Sequence, residues 1–202
     1  MAVRIRSRFH ADGRERSPAT LASVIAMLGW KLAIDALKRM READYDIDIG
    51  PTYFGFVAEY LVFVAHAADR IAHARLDAEA REAFTVALVR RLAEVMEENR
   101  DMRVAELPAG ESAAGFVDLY NRRGEDYAAC GFDDAGPDFG FRRVFAAGME
   151  AVLPQKDRLW AIDQIMEIEV PEAMKALRRT LDGLFAPDVS RTALTRGELA
   201  GE

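Results

Sequence analysis

Cysteine occurs once in 202 residues, at Cys130. No disulfide can close within the chain, and nothing in its cysteine usage suggests an oxidising compartment. Ala129 and Gly131 flank it without charge, so Cys130 reads as a small buried hydrophobe rather than an activated thiol. Histidine is nearly as scarce. Beside His10 there are only His66 and His73, so any chemistry that needs imidazole falls on those two. Glycine-rich phosphate loops, nucleophile-elbow pentapeptides, paired CxxC motifs and His-Asp dipeptides are all missing. Segments with the alternating pattern of a strand are missing as well, apart from short stretches near the N-terminus and at 45–49.

Positive charge is in short supply. Lys and Arg number 27 against 34 Asp and Glu, for a net charge of −7, which argues against a nucleic-acid surface. Five arginines among the first 16 residues (Arg4, Arg6, Arg8, Arg14 and Arg16) form a basic exception, read as a solvated arm. That arm has no apolar centre of the signal-peptide kind. The longest apolar run, Tyr53 to Ala65, is interrupted by Glu59 and followed by His66. A bilayer span needs about 20 apolar residues, so this run is expected to be core, and the chain is expected to be cytoplasmic without a membrane contact.

Hydrophobic residues make up 50% of the chain and charged ones 30%, the balance of one globular domain able to bury its own core. Helical periodicity dominates. Ser17 and Pro18 read as a cap and first-turn proline opening a helix to about Ala43. Thr52 to Leu76 reads as a long, mostly apolar helix, expected at the centre with Leu61, Val64 and Ala68 deeply buried. Asp77 should cap a third helix to about Asn99, whose Glu94, Glu97 and Glu98 form a solvated face balanced by Arg90 and Arg91. A fourth helix follows over 112–129, with Asn121, Arg122 and Arg123 as a polar patch. The Gly- and Asp-rich segment 131–140 lacks the ligand order of a calcium loop and reads as a turn. A fifth helix covers 141–153 and a sixth 156–170, with Pro171 expected to restart the chain as a seventh helix to about Phe185. The fold class is therefore all-α: a single-domain bundle of six or seven helices around 52–76. The domain is bounded at 17–187, between the 1–16 arm and a polar 188–202 tail expected to be disordered.

Two segments carry groups that could do chemistry. Glu59, His66 and His73 recur every seven residues on the central helix, with Asp69 and Arg70 beside that line. His66, Asp69 and His73 lie three and four residues apart and so share a face. On the sixth helix Asp163 and Glu167 stand one turn apart among Leu159, Trp160, Met166 and Val170, with no cation three or four residues away. Glu169 is expected on the solvated side. Imidazole and carboxylate donors on two facing helices can build a metal site in a bundle core. The expected metal set is His66, Asp69, His73, Asp163 and Glu167. Nitrogen and oxygen donors without thiolate favour a divalent Fe, Mn or Zn ion. Glu59, about 10.5 Å from His66 along the axis, would act behind that set rather than in it. Phe54, Phe56, Tyr60, Phe63 and Trp160 could instead line an apolar pocket. The contrasting reading is a non-catalytic helical interaction or assembly module, a homodimer in its simplest form, without a metal. The two metal-bearing faces must oppose one another for the first reading, and elemental analysis separates the two.

Overall fold

A computed structural model describes residues 17–47, 50–99 and 110–185. The basic arm (1–16) and the polar tail (188–202) lie outside the described residues. What is described is an all-α bundle of seven helices with one short ribbon: α1 Pro18–Glu42, α2 Pro51–His73, α3 Ala78–Glu98, α4 Glu111–Ala128, β1 Phe132–Asp133, β2 Gly136–Pro137, α5 Phe139–Val152, α6 Arg158–Gln164 and α7 Val170–Phe185.

The helix starts follow local chemistry. Ser17 accepts the Thr20 backbone N–H at 3.3 Å and Asp77 that of Ala80 at 2.8 Å, each satisfying a donor that the first turn leaves free. Asp138 does the same for Phe141 at 2.7 Å, and its other oxygen accepts from Gly131 at 2.8 Å. One carboxylate thus caps α5 and closes the preceding turn, which folds as an antiparallel pair with Phe132 opposite Pro137 and Asp133 opposite Gly136. Entry into α4 is different. Gly110 sits at φ +88°, a left-handed conformation that disfavours any side chain. The cap comes from another helix, because Glu97 of α3 accepts the N–H groups of Gly110 and Ala113 at 3.0 and 3.3 Å. Glu97 is therefore a structural cap and not part of a solvated face. Glu94 and Glu98 do lie on the surface and share Arg91.

α2 is the core helix. Thirteen of its residues are buried, and Leu61, Val64 and Ala68 are fully enclosed, as the periodicity requires. α1, α3, α4, α5 and α7 pack around it. Phe63 stacks on Phe145 at 4.4 Å, and Tyr60 meets the same ring edge-on at 5.4 Å. These aromatics fill the core and enclose no pocket with Trp160, which is 70% exposed beside the exposed Leu159. Among the described residues α1 is the helix long and apolar enough to cross a bilayer by length and composition. In the bundle it buries Leu21, Ile25, Ala33, Leu37 and Met40.

Pro171 does not restart the chain. Helix continues from Arg158 to Phe185 through a π-helical turn at Ile165–Glu169, where the Val170 N–H reaches the Ile165 carbonyl five residues back. Proline in a regular helix removes one hydrogen bond and crowds the carbonyl four residues earlier. The wider π turn lies directly ahead of Pro171, where that crowding would fall.

Candidate functional site

The polar side of α2 is covered by α4 at its middle and by α3 toward its C-terminal end. Each polar group on it meets a different partner. Glu59 is 4% exposed, and Arg123 of α4 grips it with both arms of its fork: Nη2 donates to Oε1 at 2.6 Å and Nε to Oε2 at 3.2 Å. Such a bidentate pair is the geometry in which a carboxylate tolerates burial. It requires Gly148 on α5, where a Cβ would overlap Glu59 Oε2. Glu59 is thus the most deeply held charge of the face, fixed by Arg123 rather than standing behind a set of metal ligands.

About two turns further on, His66 lies between two tyrosines of α4. Its ring stacks on Tyr120 at 4.3 Å and 6° and on Tyr127 at 4.5 Å and 29°. Burial pushes the imidazole down to about 4, against the opposing pull of the Tyr120 backbone and of Asp69. It is therefore neutral at pH 7. The His66 Nε2 and the Tyr127 hydroxyl are both enclosed and have no hydrogen-bond partner among the described residues. Burial raises both tyrosine hydroxyls, Tyr120 to about 12, so neither ionises near neutrality.

Asp69 is taken by α3. Arg81 donates Nη2 to Oδ2 at 2.5 Å and Nε to Oδ1 at 2.9 Å, while the Thr85 hydroxyl donates to Oδ1 at 2.6 Å. Burial works to raise this carboxyl, but the Arg81 and Thr85 hydrogen bonds prevail and hold it below its ordinary value. Exposed His73 meets the same guanidinium, 3.2 Å from Nδ1 to Arg81 Nη1.

The five residues expected to hold a metal are not brought together. His66, Asp69 and His73 do share the α2 face, but an arginine occupies the space beside Asp69 and His73, and tyrosines enclose His66. Asp163 and Glu167 are exposed on α6 and the π turn. Asp163 acts electrostatically on Tyr45, in the link between α1 and α2, whereas His73 is the last residue of α2. Among the described residues no three His, Cys, Asp or Glu side chains form a group that could hold a metal ion. Asp163 and Glu167 are exposed and have no ion-pair partner among the described residues, and an exposed carboxylate does not require one.

Glu169, expected in solvent, is instead fully buried. Arg39 of α1 donates to it at 2.5 and 3.2 Å, and Gln164 adds a third bond at 3.2 Å. Arg39 is therefore not the intrahelical partner of Asp35, which pairs with Lys38 at 3.6 Å. The Tyr60 hydroxyl, enclosed and without a partner among the described residues, feels both Glu169 and Arg39. Ile165 and Met166, four and three residues before Glu169, are buried too, so the helical period puts Glu169 on the core side. The expectation failed because it took the exposed Asp163 and Glu167 face as the inward one. The sequence signal for the buried position of Glu169 was its spacing from the apolar Ile165 and Met166.

Two concavities flank α4. A cleft of about 460 Å³ lies over the Glu59–Arg123 pair, lined also by Gly55, Leu119, Arg122, Asp126 and Val152. A groove of about 580 Å³ runs between α3 and α4, lined by Val86, Val89, Ala93, Ala113, Ala114 and Val117, with Arg90 on one wall and Asp118 on the other. Cys130 lies outside both. It is half-buried, with its thiol on the Asp126 carbonyl at 3.2 Å, and burial raises it further from ionisation. No protein-family model, curated protein or solved structure matches this chain.

Proposed function

We propose that this chain is a helical assembly module whose α3–α4 groove is the contact face of a homodimer. The observation carrying the reading is the distribution of charge about that groove. Its lining is apolar and partly open, with Val86 52% exposed. Its two walls bear one exposed charge of each sign, Arg90 on α3 and Asp118 on α4, and neither has an ion-pair partner among the described residues. A two-fold interface is self-complementary: a residue facing a given partner position is faced by that position in turn. A second copy would set Arg90 against Asp118 twice and cover the valines between them. The small side chains Ala93, Ala113 and Ala114 leave room for close approach of a helix. Elsewhere the buried acids Glu59 and Glu169 are each neutralised by an arginine, which supports structural roles for them. A cytoplasmic setting belongs to the same proposal.

Light scattering across a concentration series should give a mass of twice 22.5 kDa at high concentration. Arg90→Asp and Asp118→Arg should each leave a monomer by placing like charges together. The double reversal should restore the dimer. A wild type that stays monomeric throughout, or a double reversal that fails to recover what the single changes lost, would refute the reading.

A further inference from the structure

The cleft on the other side of α4 carries a different inference. Its volume of about 460 Å³ is in the range of small-molecule sites. Gly55, Leu119 and Val152 give it an apolar wall, while Glu59, Arg122, Arg123 and Asp126 supply two charges of each sign. Those charges are not equivalent. Glu59 is consumed by Nε and Nη2 of Arg123, which fixes that guanidinium at the edge of the cleft with 24% of the side chain still exposed. The remaining arm, Nη1, lies 4.0 Å from Asp126, too far for a hydrogen bond. Arg122 is exposed and has no carboxylate partner among the described residues. Arg122 and Asp126 are four residues apart on one helix and so border the same cleft, with no ion pair between them among the described residues.

A simple anion would meet Arg122 but also Asp126. A simple cation would meet the reverse. A molecule with both charges a few bonds apart satisfies the two together. We infer that the cleft binds a small zwitterion of the α-amino-acid type. Its carboxylate lies on Arg122 and on Nη1 of Arg123, the arm that Glu59 leaves unused, its ammonium on Asp126, and an apolar side chain against Leu119 and Val152. Glu59 and Gly148 act as positioning residues that hold Arg123 in place. The inference stands apart from the dimer proposal, because Arg90 and Asp118 line the other concavity.

Isothermal titration of the full chain with L-leucine, N-acetyl-leucine and leucine amide tests it. Leucine should give a saturable isotherm, with each blocked compound at least tenfold weaker. Arg122→Ala and Asp126→Ala change exposed side chains, so both should keep the wild-type circular dichroism melt while losing at least tenfold in leucine affinity. Absence of saturable heat with leucine would overturn the proposal. So would equal binding of the blocked compounds, or unchanged affinity in both variants.

Discussion

His66 shows how a single residue can be polar in sequence and structural in place. Its ring is held neutral between Tyr120 and Tyr127, with its ionisation pushed down to about 4 from an ordinary value near 6.5. The unfolded chain therefore binds a proton that the folded one refuses. Stability from this site is complete above about pH 6.5 and is lost as pH falls from there toward 4. Allowing for partial exposure, the loss is about 2 kcal/mol. His66→Phe keeps a flat ring in the stack and should remove that part of the pH dependence. Urea melts at pH 7 and pH 4.5 should differ less in the variant than in the wild type. An identical difference would show that His66 does not titrate as described. Asp69 does not blur the comparison. Its carboxyl is held below the ordinary value, so its contribution is present above about pH 4 and fails only as pH falls through the lowered value.

At the scale of elements, the joint between α6 and α7 is the clearest case of one helix disciplined by another. Glu169 enters the core on the same face as Ile165 and Met166, and Arg39 of α1 is there to meet it. Removing one partner of a buried pair leaves an uncompensated charge and costs about 3–5 kcal/mol. Arg39→Ala should therefore lower the denaturation midpoint strongly. Arg91→Ala, which breaks pairs with Glu94 and Glu98 on the surface of α3, should leave it almost unmoved. Chemical denaturation of the two variants side by side checks this, and equal losses would mean that the buried pair contributes no more than a surface one. α4 depends on its neighbours in another way. It buries only Phe116 and Tyr127 as whole residues, and its first turn is capped from α3 by Glu97. A concavity lies along each of its flanks.

At the scale of the molecule, the helices are arranged around α2. Leu61 lies at the centre with no exposed surface, so Leu61→Ala should cost about 2–5 kcal/mol through lost burial and the cavity left behind. A midpoint shift near zero in a urea melt would mean that α2 is not the packing centre.

What the sequence determined by itself is local. The caps at Ser17, Asp77 and Asp138, the left-handed entry that Gly110 allows, and the 3.6-residue period of α1 to α3 are each decided within a few residues. The choice of an all-α fold and the burial of Leu61, Val64 and Ala68 follow from those local facts. Partnership was decided elsewhere. Arg39 has Asp35 within reach along its own helix, but pairs with Glu169 because a buried carboxylate competes for a cation more strongly than a hydrated one. Asp69 looked like a metal ligand beside His66 and His73, and the approach of α3 gave it Arg81 and Thr85 instead. Asp163 and Glu167 looked short of a cation, and exposure on α6 and the π turn left them hydrated. Helical period places a charge on a face, but which group lies opposite depends on how whole helices pack, and that information is spread over contacts more than a hundred residues apart.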